Sequence, residues 1–541
     1  MPVDFRKIPG TSRLFSDFLY DFQKVEKFYA GDFRKDKNYL RVFKSIKDRK
    51  YQREYLSSIL RKQNQIFGSG REAFKNIELL QKSDSLVVFT GQQVGLFGGP
   101  LYTIYKAITT LKLAQALSFR FSRPFVPLFW LDSEDHDFEE VRSTCIVDKE
   151  NQIQEIKYSP AKVSSGSPMY QVVLEEEITS CVELLKSSLH PSEFKDKVIQ
   201  KLDEFYVKGE TISNSFAKWM TTLLGKYGLV IVDPGDKELK KLAVDLLWKE
   251  IKNPGKSMKL VKETGEKLGS SGYHQQVIKP EEMINLFLEV EGRRSSLKWS
   301  GDLIELEGSD RKMTREEFNQ IIENEPQRLS PNVLLLPLMR SHLFPTAVYI
   351  GGPGEISYYA QLKSVFEFYD IPIPMVYPRA SLSLIEDKVR QVFQKYSLDF
   401  IDLFQDTEIL INSILKDKFP NPLDKILEEK REQIRESLNE LENKLISSDP
   451  ILKPNLENTR GKIDYELKRL GEKLFQVHRQ KNQLLKGRIY KAKNNLLPEN
   501  KLQERVLNLL PFLVKYGFEF VDILYQKTEI EKIDHQLLEV G

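Results

Sequence analysis

The sequence predicts an α/β fold, a doubly wound parallel sheet with inserted segments, followed by a long helical coiled coil. Three observations lead to this class. A strand, a glycine-rich loop, a helix and a second apolar strand follow one another within residues 85–131. Further short apolar runs later in the chain each run into glycine, proline or arginine. Beyond residue 385 the apolar residues adopt the spacing of a coiled coil.

The composition is that of a globular protein and argues against several classes. The chain has 541 residues, 40% hydrophobic and 29% charged, which fits two or three domains. Its 81 basic and 78 acidic residues give a net charge of +3, too close to neutral to suggest nucleic-acid binding. No apolar run of about 18 residues predicts a membrane span.

Cysteine usage and the N-terminus predict the compartment. Cys145 and Cys181 show no metal-binding spacing, and so few thiols in a long chain suggest a reducing environment. The first residues, MPVDFRKIPG, contain no apolar signal segment. We therefore expect a cytoplasmic protein without nucleic-acid or membrane partners.

The parallel core is predicted from continuously apolar segments. Ser85–Thr90 is the first strand, Tyr102–Leu117 the helix that follows its glycine-rich loop, and Arg123–Leu131 a second buried strand. The later runs predict further strands at Leu229–Val232, Val333–Leu336, Ala347–Ile350 and Met375–Tyr377.

Two segments with a different residue pattern interrupt this core. Ile146–Leu174 alternates and is rich in Ser, Pro and Lys, and Leu286–Gly308 predicts short antiparallel strands with glycine turns. We expect a core domain over residues 1–384 with insertions at about 146–225 and 255–330. A coiled-coil domain over 385–510 and a tail over 511–541 that packs back on the core complete the predicted domains.

The coiled coil is predicted in two arms. Apolar residues with 4-3-4 spacing, continued in the same register with one position skipped, form the seam: Ile434, Leu438, Leu441, Leu445, Ile463, Leu467, Leu470, Leu474, Val477 and Leu484. Pro450 and Pro454 interrupt it within Ser447–Asn455 and favour an antiparallel hairpin. We favour a protruding or dimerising hairpin. The alternative is an ordinary helical pair packed on the core.

The first candidate site is the glycine-rich loop after the first strand. Gly91, Gly95, Gly98 and Gly99 allow backbone amides to approach a ligand, and the helix behind them favours a phosphate or carboxylate. Tyr102 lies at the start of this helix, and Lys106, one turn further, adds a positive charge. The spacing fits neither a Walker A loop nor a dinucleotide fingerprint. The alternative is a flexible turn at a strand end.

The second candidate site is the acidic segment Trp130–Glu140, at the end of the second strand. Six carboxylates and one histidine in nine residues are costly to hold together unless a cation uses them. Asp135, His136 and Asp137 are the catalytic candidates, with Trp130 and Glu134 at the binding site. They suit an ammonium substrate, Mg²⁺ carrying a nucleotide, or acid–base chemistry. No second histidine lies nearby, so we expect no zinc site. The alternative, a solvated helix start, explains Glu139 and Glu140 but not His136.

The third candidate site is a second strand, glycine loop and helix junction at Gly351–Tyr359. Gly352, Gly354, Glu355 and Tyr358 are its candidate ligand-binding residues, and Arg379, at the end of the next strand, supplies a cation for phosphate. Arg340 and His342, upstream, are as consistent with structural ion pairs as with ligand binding.

Three motifs at these sites resemble the BshC family of bacillithiol biosynthesis. They are TGQQVGLFGGPLYTIYKA, FWLDSEDHDFEEV and GGPGEISYYAQLK, at residues 90–107, 129–141 and 351–363. LLLPLMRSHLFPTAVYI, YPRASLSLIE and the coiled-coil pattern extend the similarity along nearly the whole chain. The arms beyond residue 385 are generic in sequence, so there the match rests on pattern.

The resemblance implies a Rossmann-like core with connecting-peptide insertions and a coiled coil used in dimerisation. It implies a ligase that joins L-cysteine to glucosaminyl-malate through an amide bond, and it implies adenine-nucleotide binding. The matching candidate positions are Gly98, Gly99, Tyr102, Asp135, His136, Asp137, Gly354, Glu355 and Tyr358.

The expected chemistry follows from that reaction. We expect ATP with Mg²⁺ as the activating agent, bound ADP or AMP, and a homodimer. In this hypothesis the loop at Gly95–Pro100 holds phosphates or the malyl carboxylate. Asp135 and Asp137 hold the amine or Mg²⁺, and His136 is the general base. The alternatives are a non-catalytic nucleotide-binding scaffold and nucleotidyl transfer to another small molecule.

Overall fold

The computed structural model describes residues 2–161, 166–309, 311–418 and 422–541. Within these residues the strands are β1 (Pro2–Val3), β2 (Leu86–Gln92), β3 (Phe125–Leu131), β4 (Ser143–Val147), β5 (Ile153–Lys157), β6 (Val230–Val232), β7 (Met283–Val290), β8 (Arg293–Ser300), β9 (Leu303–Leu306), β10 (Lys312–Met313), β11 (Leu329–Pro331), β12 (Thr346–Gly351), β13 (Met375–Pro378), β14 (Leu382–Glu386) and β15 (His535–Val540).

The α-helices of the same residues are α1 (Arg13–Tyr20), α2 (Asp36–Lys47), α3 (Arg53–Ile66), α4 (Arg71–Leu80), α5 (Leu101–Phe121), α6 (Phe138–Val141), α7 (Glu177–Ser188), α8 (Lys195–Phe205), α9 (Ile212–Leu224), α10 (Lys237–Lys241), α11 (Val244–Lys252), α12 (Lys256–Ser270), α13 (Arg315–Asn324), α14 (Leu336–Leu343), α15 (Pro353–Tyr359), α16 (Lys363–Tyr369), α17 (Asp387–Tyr396), α18 (Thr407–Lys418), α19 (Pro422–Ser448), α20 (Lys453–Lys481), α21 (Gln483–Leu496), α22 (Gln503–Val506), α23 (Leu510–Tyr516) and α24 (Phe520–Lys527). None of these helices is long and apolar enough to span a membrane.

A five-stranded parallel sheet forms the core, in the order β13-β12-β2-β3-β6. When these five strands alone are numbered 1 to 5 in chain order, their order across the sheet from β6 to β13 is 3-2-1-4-5. This is the order of the Rossmann fold, and it reverses between β2 and β12. Open α/β sheets bind ligands at such a switch point, outside the carboxyl ends of the strands.

The sequence of the core explains why its strands are central. Every residue of β3 is buried, and so are the first six of β2, because helices cover both faces of a parallel sheet. Helix α5, which joins the two strands, buries 13 of its 21 residues and is apolar on most sides for the same reason. The predicted strands at β2, β3, β6, β12 and β13 are confirmed.

The predicted strand Val333–Leu336 is wrong. The Oδ1 atom of Asn332 accepts hydrogen bonds from the amides of Leu334 and Leu335, at 2.9 and 3.2 Å, and turns the chain into α14. The strand of this region, β11, ends one residue before Asn332 and pairs antiparallel with β7. A short apolar run does not by itself distinguish a strand from the start of a buried helix.

The two predicted insertions lie between core strands. An antiparallel sheet of order β10-β9-β8-β7-β11, here called the insertion sheet, falls between β6 and β12 and confirms the short antiparallel strands predicted at Leu286–Gly308. The hairpin of β4 and β5 and helices α7 to α9 fall between β3 and β6. Residues 162–165, 310 and 419–421 of the predicted segments lie outside the described residues.

The chain divides into two compact units. Unit 1 comprises Met1–Leu384 and Lys501–Leu538, and unit 2 comprises Ile385–Asn500 and Glu539–Gly541. Residues 501–510, at the end of the predicted coiled-coil domain, are grouped with unit 1 by their contacts, although the predicted domain bounds themselves stay a prediction. In this unit the returning chain pairs with the N-terminus, because Val3 and His535 are opposite each other in an antiparallel ladder.

Unit 2 contains the coiled coil, whose arms are α19 and α20. Arg431 pairs with Asp464 at 2.6 Å, and Arg460 pairs with Glu442 at 2.7 Å. Of these four residues, Glu442 and Arg460 are the two nearer the turn between the arms, and they pair with each other. A short 3-10 turn, Pro450–Leu452, connects the arms. The antiparallel hairpin is confirmed.

Candidate functional site

A cleft of about 480 Å³ opens in unit 1 at the carboxyl ends of the core strands. Residues that follow β2, β3, β12 and β13 line it, so it lies at the switch point of the sheet. The insertion sheet supplies the facing wall. Of the predicted site residues, the cleft brings together Tyr102, Lys106, Trp130, Glu134, Asp135, His136, Gly352, Gly354, Glu355, Tyr358 and Arg379.

The glycine loop after β2 was predicted to bind a ligand, but Gly95, Gly98 and Gly99 are not among the residues that line the cleft. Gly98 has φ +94° and faces the indole of Trp219, 2.8 Å from where a Cβ atom would lie. A Cβ on Gly95 would lie 3.0 Å from the Cα of Gly99. Close packing therefore explains Gly95 and Gly98.

The carbonyl groups of this loop are also occupied. The Nδ2 atom of Asn508 donates to the carbonyl oxygens of Phe97 and Gly99, at 3.1 and 2.8 Å. The Leu101 amide, at the first position of α5, donates to the Leu507 carbonyl at 2.9 Å. The loop is thus bound to the returning C-terminal chain.

Lys106 and Glu355 form a buried ion pair on the floor of the cleft, 2.7 Å from Nζ to Oε2. The same ammonium donates to the carbonyl of Gly91 and to Oε1 of Gln92, both at 2.9 Å, so its three donors are used. Burial lowers the pKa of Lys106, while Glu355 opposes this shift.

Glu355 is fixed from several sides. Its Oε2 atom accepts from the Gly352 amide at 2.8 Å, and its other oxygen accepts from the Tyr349 hydroxyl. Burial would raise the pKa of this carboxyl, but Lys106 and the Gly352 amide hold it below its ordinary value. Glu355 is therefore ionised at neutral pH.

Two further cations of the cleft are paired with carboxylates. Arg340, only 2% exposed, donates to Asp132 at 2.5 Å and contacts the Tyr349 hydroxyl. Burial raises the pKa of Asp132, and Arg340 opposes this shift. Arg379 donates to Glu504 at 2.7 Å. These two ion pairs and the Lys106–Glu355 pair are the charged framework of the site, because they fix three cations that line the cleft.

Three predicted residues have mainly packing roles around this framework. The Cζ atom of Arg340 lies over the Trp130 ring, 5.4 Å from the ring centroid. Arg379 lies over the Tyr102 ring at 5.5 Å. Tyr358 stacks on Tyr359 with 5.3 Å between centroids, and burial raises the pKa of its phenol.

His136 and Asp135, the predicted catalytic residues, both line the cleft. Nδ1 of His136 lies 3.9 Å from Oδ1 of Asp135, and its ring packs edge-on against Phe287. Burial, followed by the charge of Arg294, lowers the pKa of the imidazole, against smaller opposing effects of Asp135 and Asp137. His136 is therefore neutral at neutral pH and is available as a proton acceptor.

The Asp135 carboxylate is held in position without a lysine or arginine partner among the described residues. Its Oδ2 atom accepts from Nε2 of Gln93 at 2.7 Å, and its Oδ1 atom accepts from the amide of His136 at 2.8 Å. Glu134, by contrast, is buried in an ion pair with Lys240 at 2.9 Å.

Asp137 lies outside the cleft lining and does not join Asp135 there. Its side chain is the N-cap of α6 and accepts from the Glu140 amide at 3.2 Å. This is the role expected of an aspartate that begins a helix. Asp137 therefore acts as a helix cap in the structure.

Sequence reasoning missed several residues that line the cleft. These are Arg294 and Phe287 of the insertion sheet, Lys279 in the segment before β7, and Arg505 of α22. The signal for Arg294 was weak but present, because consecutive arginines on a strand point to opposite faces. Arg293 is exposed, while Arg294 lies 3.8 Å over the ring of Phe287.

The cations of the cleft fall into two groups. Lys106, Arg340 and Arg379 are in ion pairs, as described above. Arg294, Lys279 and Arg505 have no carboxylate within ion-pair distance in the part of the chain that the structure describes. The second group can neutralise an anionic ligand at little cost. Among the described residues, no cluster of three or more His, Cys, Asp or Glu side chains is arranged to hold a metal ion.

Fold and site together define a Rossmann-like α/β protein with a small-molecule cleft at its switch point and a coiled-coil appendage. Comparison with known proteins identifies the family. Residues 1–380 match the N-terminal Rossmann-like domain of bacillithiol biosynthesis BshC, and residues 382–540 match its C-terminal coiled-coil domain. The chain belongs to the BshC family.

Curated relatives cover almost the whole chain. A protein of Salinibacter ruber is 35% identical over 97% of this chain and 96% of its own length. Relatives from Chlorobaculum tepidum (95% of each chain) and Prosthecochloris aestuarii (96% of each chain) are 32% and 30% identical. Each is named "Putative cysteine ligase BshC", an enzyme of the ligase class. A solved structure from Campylobacter jejuni aligns with 84% of this chain and 98% of its own at 12% identity, but its TM-score of 0.22 is too low to bear on the fold.

Proposed function

We propose that this protein is a ligase that joins the carboxylate of L-cysteine to the amine of glucosaminyl-malate, using ATP. One observation carries the proposal. One cleft at the switch point combines a neutral histidine, a carboxylate without a lysine or arginine partner, and three cations without a carboxylate partner among the described residues. These groups suit an amine nucleophile and anionic co-substrates.

ATP is required by the energetics of the reaction. A carboxylate and an ammonium do not condense in water, so the cysteine carboxylate has to be activated before the amine attacks. The balanced reaction gives the amide with either AMP and pyrophosphate or ADP and phosphate. The nucleotide product therefore distinguishes an acyl adenylate from an acyl phosphate, and that same product is expected to bind in the cleft.

The acidic rim is suited to the amine. The Asp135 carboxylate attracts the glucosamine ammonium, and the neutral imidazole of His136 takes its proton. The free amine then attacks the activated carbonyl. His136 is the general base of the proposed mechanism, and Asp135 is the binding group beside it.

The basic residues are suited to the anions. Lys279 and Arg505 can bind the malyl carboxylates or the phosphates of ATP, and the Arg294 guanidinium adds positive charge to the same cleft. Mg²⁺ carried on ATP phosphates needs one or two protein carboxylates, and Asp135 is the lining carboxylate available for it or for the ammonium.

Unit 2 supports a homodimer. Several seam residues of the hairpin remain exposed in the single chain, among them Leu441 at 45%, Leu470 at 54% and Val477 at 49%. Apolar side chains repeated along two arms are suited to a second copy of the same hairpin. We propose dimerisation through this surface, and a cytoplasmic location for the protein.

The proposal is tested with purified protein, L-cysteine, glucosaminyl-malate and Mg-ATP, with products followed by mass spectrometry. We expect the cysteinyl amide in the complete mixture and no product when ATP is omitted. Formation of a nucleotidylated acceptor without amide would instead support a nucleotidyltransferase. No product together with no thermal stabilisation by any of the three ligands would support a scaffold.

A further inference from the structure

The geometry points to Arg294 as the residue that fixes His136, before the amine binds, as a neutral imidazole protonated on Nε2. This inference deepens the proposed function and rests on it for the base role of His136. Arg294 is a positioning residue, because it acts through the imidazole.

The guanidinium of Arg294 is held rigidly by the insertion sheet. Its Nε atom donates to Oγ of Ser330 at 2.8 Å, and its Nη2 atom donates to the carbonyl of Pro331 at 2.6 Å. Its Cζ atom lies over the ring of Phe287, 3.8 Å from the centroid.

Nη1 of Arg294 lies 3.4 Å from Nδ1 of His136. A guanidinium donates hydrogen bonds but never accepts them, so Nδ1 has to be the acceptor of this contact. A neutral imidazole with an acceptor at Nδ1 carries its proton on Nε2. The contact therefore selects one of the two tautomers.

The same atom faces the proposed amine-binding group. Nδ1 also lies 3.9 Å from Oδ1 of Asp135. Nδ1 has a single lone pair, which the Arg294 contact occupies, so an ammonium bound to Asp135 would reach it by taking the place of Nη1. Proton transfer from the ammonium to Nδ1 gives a free amine and an imidazolium, which later releases its proton to solvent.

Charges from several elements act on this imidazole. Arg294 on β8 opposes its protonation, whereas Asp135 and Asp137 of its own loop favour it, and Lys279 lines the same cleft. Phe287, which packs against the ring, is uncharged. Removing the Arg294 charge leaves the two aspartates to act alone and should raise the proton affinity of His136.

The first test is a nitrogen-15 NMR measurement of the six histidine side chains in the full chain, with His136 identified by its loss in His136→Asn. We expect the Nε2-protonated tautomer for wild-type His136 at pH 7.5. In Arg294→Met the tautomers should mix, and the titration midpoint should rise by about half a pH unit or more. Arg294→Lys keeps the charge without the fixed donor, so it should release the tautomer with a smaller change of midpoint.

Two variants keep this test decisive. Arg293→Met removes the neighbouring exposed arginine and should leave His136 unchanged. Ser330→Ala removes the acceptor of Nε without changing the cleft charge, and should loosen the tautomer even if Arg294→Met does not fold. A wild-type His136 protonated on Nδ1, or a His136 that is indifferent to both Arg294→Met and Ser330→Ala, would overturn the inference.

The second test separates the inference from the proposed function. The acid limb of kcat/KM for glucosaminyl-malate should move to higher pH in Arg294→Met, in step with the NMR midpoint of His136. If the NMR midpoint of His136 shifts but the acid limb of kcat/KM does not move, Arg294 is confirmed as the positioning residue and the base role of His136 is overturned. An acid limb that moves while His136 does not would overturn the inference.

Discussion

The ammonium of Lys106 lies 2.7 Å from Oε2 of Glu355, and this ion pair joins the helix after β2 to the helix after β12. It crosses the point at which the strand order of the sheet reverses. The two glycine-rich junctions recognised in the sequence are therefore tied to each other. Both residues of the pair line the cleft together with its other polar groups.

Breaking this pair should destabilise unit 1. Glu355→Gln leaves the buried Lys106 without a counter-charge, at an expected cost of about 3–5 kcal/mol. A lower midpoint of urea denaturation would show it. Glu367→Gln, at an exposed position of α16, is the matched control and should leave the midpoint unchanged. A Glu355→Gln protein as stable as the control would contradict the role of the pair.

The glycine loop should respond as a packing element. Gly98→Ala places a methyl group 2.8 Å from the Trp219 indole at a positive φ, which should cost about 1–3 kcal/mol. The folded variant should keep its KM for ATP, because Gly98 does not line the cleft.

Gly354→Ala is the control for that substitution. Nothing lies within 4 Å of its added Cβ, and Gly354 is within a helix, so its thermal stability should stay near wild type. A large rise in the KM for ATP in folded Gly98→Ala would show that the loop binds phosphate after all.

Stability should fall in mild acid because of buried histidines. Burial lowers the pKa of His342 to about 4, and Arg49, 2.7 Å from its Nδ1, adds to the shift. An unfolded histidine has a pKa of about 6.5, so between these values only the unfolded chain is protonated. Stability is complete above this window and declines by up to about 1.4 kcal/mol per pH unit within it.

Urea midpoints at pH 7, 6 and 5 measure this decline. His342→Gln should reduce the pH dependence without abolishing it, because the pKa of buried His535 is also about 4. His274→Gln, at an exposed position, should leave the slope unchanged. Equal slopes in wild type and His342→Gln would argue against a neutral, buried His342.

The hairpin should determine the oligomeric state. Replacing exposed Leu441 and Leu470 together with aspartate introduces charge along the proposed seam and should convert a dimer into a monomer. Light scattering after size-exclusion chromatography measures the mass. Tyr465→Asp, at an exposed position on the same arm, is a control for a charge placed outside the seam. A wild-type monomer, or a double variant that stays dimeric, would overturn the proposed interface.

The sequence predicts the core well, because its signals are local. Continuous apolar runs in β2 and β3 reflect burial on both faces, and the seam of the hairpin reflects one repeated contact. Val333–Leu336 has the same apolar character but begins a helix, since the side chain of Asn332 caps the turn there. That capping is not visible from hydrophobicity.

The site is predicted less completely, because part of it depends on distant contacts. His136 and Asp135 are identified by their place at a strand end. Arg294 comes from another sheet, and nothing local places it beside His136. Gly98 is required by Trp219, more than a hundred residues later, yet in the sequence it is indistinguishable from a ligand-binding glycine. The sequence therefore identifies strand ends better than it distinguishes packing from binding.

The most direct measurement of the central claim is the rate of ATP-dependent amide formation by four folded variants under identical conditions. Because the cleft contains His136 and Asp135, His136→Ala and Asp135→Asn should each lower kcat/KM for glucosaminyl-malate by about 100-fold or more. Asp137→Asn, which changes the N-cap side chain of α6 outside the cleft lining, and His274→Ala, at an exposed position, should stay within a few fold of wild type. Wild-type rates in His136→Ala and Asp135→Asn would show that the amide bond is formed elsewhere.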